Sequence, residues 1–299
     1  MIIVKLWGGM CNQMFQYAFG YALAKEHRDE LCFDVDFYKN QPGHVAKRKV
    51  ISQNEFPGLS MLNFSPRPSV IKFFENKYIS HIIRYNFGCN FRLPGIHFMM
   101  ERLRKFYDNI PYRQDVSINF YDGYWQSAKY IQKYEEEIRQ EFTPSKEVQE
   151  AINKWRKSVA SDNCVAVHVR RGDYLNKINN KSFKDNNVIG NVQYYLRAID
   201  YVNSKIENAV FCFFSDDIEW CRKTFESVVD KAVFVENKGK NAAILDLFSI
   251  ASCEHGIMSP STFSWWGNWL RIRKRNSIVV VPNGNYASKD FFDENWVKM

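Results

Sequence analysis

From Cys164 onward, short apolar runs alternate with longer amphipathic segments, and this alternation limits the chain's folds more than any other feature. The runs at 164–169, 209–214, 232–236, 255–258 and 277–281 carry few charges. Strands covered on both faces have that composition. The segments between them, 191–206, 217–228, 241–253 and 263–272, read as helices. Strand and helix in regular turn specify a parallel sheet joined by crossover helices, a Rossmann-like unit. In such sheets ligands bind beyond the carboxyl ends of the strands, so chemistry is sought there.

The first half begins the same way and then loses regularity. Residues 2–7 read as a buried strand broken by Gly8 and Gly9. A helix from about Asn12 to His27 places Phe15, Ala18, Phe19, Ala22 and Leu23 on one face, and 31–35 read as the next strand. Residues 37–120 are rich in Phe, Tyr, Arg, Pro and Asn with weak periodicity, which predicts loops, short helices and insertions. A strand near 118–124 precedes a helix from about Ser127 to Glu141. Thr143 and Pro144 interrupt it, and a second helix runs to about Val159. The reading is therefore two α/β lobes, 1–160 and 161–299. The 299 residues, 45% of them hydrophobic, suffice for two cores.

The seven cysteines have no metal-knuckle or redox spacing, and several sit in apolar runs. They read as reduced, buried thiols of a cytoplasmic protein. The apolar start is too short for a signal peptide, and no later stretch is long enough to cross a bilayer. A net charge of +8 fits an anionic small substrate, an anionic membrane surface, nucleic acid or simply a basic surface, and alone decides nothing.

The strand ends carry the chemistry. The run at 164–169 leads through His168 into Arg170, Arg171, Gly172 and Asp173. Guanidinium groups grip phosphate oxygens in a fork and stay charged when desolvated, so adjacent arginines there suit a leaving diphosphate; the alternative is an exposed basic turn. After the next strand come Ser215, Asp216 and Asp217. One aspartate suits a helix cap, and the other can accept hydrogen bonds from a ribose or guanine edge. Asp216 with Asp217, like Asp34 with Asp36, also raises a metal pair, but hard cations need more oxygen ligands than lie nearby in sequence. Ser259 to Ser264, with Ser261, Thr262 and Phe263 between, offers hydroxyls and amides at a helix start as an anion site, or else an ordinary cap with Phe263 in the core. Trp265, Trp266 and Trp269 read as packing. In the first lobe Gly8, Gly9, Met10, Cys11, Asn12 and Gln13 form a strand-to-helix turn lacking a P-loop lysine. Asn12 and Gln13 either orient sugar hydroxyls or a phosphate, or Asn12 simply caps the helix.

These residues resemble a known family. Gly8-Gly9 followed by Asn12 to Tyr17 is similar to the opening motif of bacterial α-1,2-fucosyltransferases, glycosyltransferase family 11. His168 to Asp173 resembles the H-x-R-R-x-D signature shared by α-1,2-, α-1,6- and protein O-fucosyltransferases. Phe214 to Asp217, and Asp246-Leu247-Phe248 through Ser264-Trp265-Trp266-Gly267, resemble the later motifs. The likeness runs from near residue 1 to about 270. Met10-Cys11 stands where the family usually has Leu-Gly.

The resemblance implies a GT-B fold of two Rossmann-like lobes with a cleft between them, the first on the acceptor side and the second binding GDP-fucose. It also implies inversion at the anomeric carbon with no metal and no cofactor beyond the donor. Arg170 would sit on the diphosphate, with Asn12 across from it near the diphosphate or acceptor. His168 and Asp217 would contact the nucleoside, and Ser261, Thr262, Phe263 and Ser264 would hold guanine and phosphate. Gly9, Gln13 and Arg171 complete the expected donor contacts. Asp173 is the candidate base, its competing role being a salt bridge to Arg171. The implied acceptor is a galactose-containing oligosaccharide or lipid-linked glycan, with peripheral contact at the inner membrane face. The alternatives are a fucosyltransferase of α-1,6 or protein O-linkage, or a basic nucleic-acid-binding protein using Arg271, Arg273, Lys274 and Arg275. No nucleic-acid module is visible, and that cluster reads instead as a solvated face or a contact with a lipid-linked acceptor.

Overall fold

The computed structural model describes residues 1–39, 41, 47–103, 105–172, 191–271, 277–283 and 290–299. The chain divides into two compact units, Met1–Thr143 with Ala287–Phe291, and Pro144–Tyr286 with Phe292–Met299. The sequence placed the division after residue 160. The structure places it at Pro144, because the helix Lys146–Val159 packs on a helix of the second unit.

The first unit is built on a five-stranded sheet in the order β2-β1-β5-β4-β3. Its strands are β1 (Ile2–Lys5), β2 (Leu31–Asp34), β3 (Cys89–Leu93), β4 (Ile96–Met100) and β5 (Ile118–Asp122). β1 pairs in parallel with both β2 and β5, β4 pairs in parallel with β5, and the β3–β4 hairpin is antiparallel. Helix α1 (Met10–His27) links β1 to β2 and is buried on every side, not on the single face its apolar spacing suggested. A Cβ on Gly20 would stand 2.9 Å from Leu31 Cδ1, so glycine there lets α1 lie against the strands. The buried amides of α1 are satisfied. Gln16 Oε1 accepts Trp7 N at 3.0 Å and its Nε2 donates to Gly123 O at 3.0 Å, tying α1 to the ends of β1 and β5. Gln13 is fully buried and likewise bonds Lys49 O and Ile51 N, at 2.9 and 2.8 Å.

Much of 37–120 is more ordered than its composition suggested. It holds α2 (Asp36–Lys39), a 3₁₀ turn at Ser69–Glu75, α3 (Lys77–Asn86) and the β3–β4 hairpin. The hairpin turns at Pro94-Gly95, where Gly95 adopts a φ of +73° that favours glycine. The helix expected over 127–141 is instead two 3₁₀ turns, Ala128–Tyr130 and Gln132–Tyr134, leading into α4 (Glu135–Glu141). Asp34 forms a buried ion pair with Arg67 Nε at 2.5 Å. Its partner is therefore a cation on the protein itself, and a metal is not needed to explain the carboxylate.

The second unit confirms the alternation. Its six-stranded sheet has the order β11-β10-β9-β6-β7-β8, with every pairing parallel. The strands are β6 (Cys164–Val169), β7 (Val210–Ser215), β8 (Ala232–Phe234), β9 (His255–Ile257), β10 (Val279–Val281) and the short β11 (Val297–Lys298), which the sequence did not reveal. Helices α5 (Lys146–Val159), α6 (Val192–Asn203), α7 (Ile218–Phe225), α8 (Ala242–Ser252) and α9 (Thr262–Trp269) connect or flank them. Val165, Val167 and Val169 on one face of β6 pack with Tyr194, Tyr195 and Phe225, while Cys164 and Ala166 on the other pack with Cys212, Phe214 and Ile250. Trp265, Trp266 and Trp269 are buried, as expected, and aromatic side chains cover about 150–250 Å² each. All seven cysteines are free thiols. Arg271 does not belong to a solvated basic face: it is 2% exposed and donates to Asn268 Oδ1 at 2.8 Å. Arg273, Lys274 and Arg275 lie outside the described residues. Among the described residues, no helix is long and apolar enough to cross a membrane.

Candidate active site

The site in the second unit follows from strand register. β6 and β7 run in parallel with His168 opposite Phe214 and Val169 opposite Ser215. Continuing the register sets Arg170 beside Asp216 and Arg171 beside Asp217. Arg170 Nη1 pairs with Asp216 Oδ2 at 2.8 Å, and Arg171 Nε with Asp217 Oδ2 at 3.1 Å. The other oxygen of Asp216 accepts the Arg171 backbone N–H at 2.9 Å. A Cβ on Gly172 would lie 2.5 Å from Asp216 Oδ2, so glycine leaves room for this carboxylate. The Arg171 guanidinium also stacks over Trp220, 3.7 Å from the ring centre. Asp217 Oδ1 accepts the Trp220 N–H at 3.2 Å and caps α7. Of the two aspartates, then, the second is the cap, and both hold arginines. The pairs fix the direction of the guanidiniums. Each fork has five N–H donors, more than one carboxylate uses. The Arg170 side chain is 35% exposed.

His168 links this strand end to the next one. Its Nδ1 is 2.8 Å from Ser259 Oγ, and its ring lies 5.3 Å from that of Phe263. The Ser259 N–H donates to Ser264 Oγ at 3.3 Å, and the Phe263 N–H donates to Ser261 Oγ at 3.2 Å. Ser261 is thus the cap of α9, and Ser264, fully buried, braces the loop before it. Phe263 is half-buried against the β6–β7 face and against His168. Hydroxyls and amide groups at the start of α9 and the arginines after β6 therefore share one scaffold, the carboxyl ends of β6, β7 and β9. Burial, and then the nearby Arg170 charge, push the His168 imidazole down to about 3. It is neutral at physiological pH, a hydrogen-bonding group with no charge of its own. Asp173 lies outside the described residues.

In the first unit the turn after β1 opens α1. Gly8 has a φ of +87°, and Gly9 is the N-cap residue, with no side-chain cap bond. A Cβ on Gly9 would meet nothing within 4 Å, so its backbone is open to approach. Asn12 is not the cap. Its Oδ1 accepts Gln126 Nε2 at 3.1 Å, and Gln13 is committed to holding the 49–51 strand of chain. Gln13 thus acts through the loop that it fixes.

Two buried acids escaped the sequence reading, and a third, partly buried acid, Asp246, entered it only as part of a motif. Asp122, at the end of β5, pairs with Arg84 at 2.9 Å and Lys5 at 3.2 Å, and these cations hold its carboxyl far below the usual range. Glu101, just after β4, accepts the Tyr124 and Trp125 N–H groups at 2.6 and 3.1 Å, and burial pushes its carboxyl up to about 7. Asp246 accepts Asn237 Nδ2 at 2.7 Å and is pushed up to about 6 by burial. Their position just past strand ends was the available signal for the first two. Among the described residues no group of three or more His, Cys, Asp or Glu side chains is arranged to hold a metal ion.

The Glycosyl transferase family 11 model matches residues 1–299. An alpha-1,2-colitosyltransferase of Escherichia coli is 30% identical, covering 100% of this chain and 98% of that protein. A galactoside alpha-(1,2)-fucosyltransferase 1 of Sus scrofa is 32% identical over 155 residues, 50% of this chain and 42% of that protein. Among solved structures, POFUT1 in complex with GDP is similar at a TM-score of 0.56 and 13% identity, covering 93% of this chain and 97% of that one. The fucosyltransferase NodZ from Bradyrhizobium is similar at 0.51 and 14% identity, covering 90% and 93%. The structural likenesses establish the fold, which is of the GT-B type.

His168 gives a testable pH dependence. Its folded pKa lies below the unfolded value of about 6.5, so the unfolded chain binds the extra proton first. Stability is complete above about pH 6.5 and falls at up to roughly 1.4 kcal/mol per pH unit as the pH drops toward the folded value. Urea unfolding at pH 7 and pH 5 is expected to show about 2 kcal/mol more acid loss in the wild type than in His168→Gln. Equal losses in the two proteins would show that His168 is not held neutral.

Proposed function

Since the chain belongs to glycosyltransferase family 11, we propose that it transfers L-fucose from GDP-fucose to the 2-hydroxyl of a galactoside at a glycan end, inverting the anomeric carbon without a metal. The observation that carries this reading is the pair of arginines held by Asp216 and Asp217 beside the hydroxyl-lined start of α9.

The acceptor oxygen attacks the anomeric carbon from the face opposite the nucleotide. The bond from that carbon to the β-phosphate oxygen breaks, and its electron pair leaves with GDP. Negative charge growing on the phosphate meets the Arg170 guanidinium, already oriented by Asp216, so little reorganisation is needed as the bond breaks. Arg171, Ser261 and Thr262 complete the anion grip, while Phe263 and His168 offer an aromatic face and a neutral imidazole to the nucleoside. Ser264 and Asp217 act from beneath, as loop brace and helix cap. Within the first unit, Gly9 and Asn12 are the positions assigned to sugar contact, with Gln13 fixing the loop beside them. The acceptor hydroxyl loses its proton to a base, for which Asp173 is the candidate.

Two specific alternatives concern the sugar and the linkage. The colitosyltransferase relative favours a colitosyl group as the competing donor sugar. Linkages other than α-1,2 stand behind that. The assay is incubation with GDP-fucose, or the corresponding colitosyl donor, and a panel of galactosides, with and without EDTA. The expected product is an α-1,2-fucosyl galactoside formed at the same rate in EDTA. Exclusive use of the colitosyl donor, another linkage, or loss of turnover in EDTA would each overturn the matching part of the proposal.

A lipid-linked acceptor would be met at a membrane surface, and α3 supports that contact. Tyr78, Ile82 and Tyr85 fall on one face and are 79%, 54% and 54% exposed. Among the described residues of the surrounding segment 64–105, Lys72, Arg92, Arg102 and Lys105 are exposed, while Arg67 and Arg84 are buried in ion pairs and do not face a membrane. An aromatic face in a basic surround suits an anionic interface. Sedimentation with phosphatidylglycerol vesicles is expected for the wild type and is expected to be lost on replacing all three residues with Ser. Equal sedimentation of both proteins would contradict a role for α3.

A further inference from the structure

A cavity of about 550 Å³ lies in the first unit, between residues 50–54 and 60–64. Its size is that of an ordinary small-ligand pocket. Its lining is not the apolar wall usual for such pockets: Ser52, Gln53, Asn54 and Asn63 supply hydroxyl and amide groups, and Phe64 supplies a ring that is 54% exposed.

Both rims are held rigidly. On one side the buried Gln13 side chain bonds Lys49 O and Ile51 N, at 2.9 and 2.8 Å. On the other, Glu141 Oε2 accepts Ser60 N at 2.6 Å, and Tyr17 Oη accepts Met61 N at 3.1 Å. The Phe64 segment is laid along β2: Phe33 N donates to Asn63 O at 2.7 Å, and Ser65 N donates to Phe33 O at 3.0 Å. Hydrogen bonds thus anchor the backbone on both flanks while Asn54 and Phe64 face solvent. A rigid loop with an exposed ring and side-chain amides is a preorganised surface.

That chemistry matches a sugar. A pyranose has one face rich in C–H groups, which packs on an aromatic ring, and hydroxyls at its rim, which pair with amides that both donate and accept. One lining residue of the cavity, Ile51, is bonded by Gln13 in the first turn of α1, the residue after Asn12 in a turn that opens at Gly9.

We infer that this pocket binds the inner sugars of the glycan acceptor, those next to the residue that receives the transferred sugar, with Phe64 as the stacking platform and Asn54 as a hydroxyl contact. The inference rests on the glycan-acceptor reading above and adds a location and a length requirement to it. An acceptor of several sugars gains affinity here that a monosaccharide glycoside cannot.

The test compares Phe64→Ala and Asn54→Ala with the wild type, each first shown to keep its melting temperature. Kinetics are measured with methyl β-galactoside and with lacto-N-tetraose, a galactose-terminated tetrasaccharide. For Phe64→Ala the tetrasaccharide KM is expected to rise about tenfold, while kcat, the donor KM and the methyl galactoside KM stay within about twofold. Asn54→Ala is expected to show the same pattern at smaller size. An unchanged tetrasaccharide KM in both variants, or an equal rise for both acceptors, would overturn the inference. A second readout needs no turnover. Titration of lacto-N-tetraose into the protein without donor is expected to shift backbone amide signals across 50–64 in the wild type and not in Phe64→Ala. If transfer is absent but these shifts occur, the pocket stands and the reaction proposed above falls. If transfer occurs and the shifts do not, the pocket falls alone.

Discussion

The parallel register of β6 with β7 is the constraint from which the second unit's site is built. With Val169 opposite Ser215, the two arginines that follow one strand must lie beside the two aspartates that follow the other. Neither pair would be worth much for stability on its own, since partly exposed ion pairs contribute about 0–1 kcal/mol. Their effect is directional. Asp216 and Asp217 aim two guanidiniums and hold them in place, and Trp220 backs one of them. A slip of one residue would break every one of these contacts and also turn the Val165, Val167 and Val169 face of β6 away from its core. The apolar packing of the sheet and the geometry of the site are therefore fixed by one alignment.

The first unit uses a different device. Its opening helix is buried on all sides, so polar residues on it must find partners inside the protein. Gln13, Gln16 and Tyr17 do so by reaching out to loops. Gln16 joins the ends of β1 and β5, Gln13 fixes 49–51, and Tyr17 with Glu141 fixes 60–61. The motif that opens the chain is thus largely a set of internal ties. Gly9 is the part of it that remains open to approach, with Asn12 nearby.

The legible parts of the sequence were those where burial alone shapes the pattern. Doubly covered strands such as 164–169 announce themselves as uncharged runs, and the strand ends of the second unit followed from them. What could not be read was set by tertiary contacts. The β3–β4 hairpin has an edge strand alternating with exposed Asn90 and Arg92, next to a core strand that is apolar after His97, and the pair lacks a shared period. The identity of the capping aspartate depended on which carboxylate reached Trp220 N, a matter of atoms rather than residue type. Arg271 looked like one of four surface cations, yet it is buried beside Asn268. Gln13 reads in the sequence as a residue that orients sugar hydroxyls or a phosphate, whereas its side chain braces 49–51, a role that spacing could not disclose.

In the proposed reaction a protein-borne cation at the end of β6, Arg170, neutralises the diphosphate. Calorimetric titration of GDP and of GMP into the wild type and Arg170→Ala tests this directly. The expected result is a loss of about thirtyfold or more in GDP affinity for the variant, near 2 kcal/mol, with GMP affinity changed far less. Equal GDP affinity in the two proteins would contradict the account.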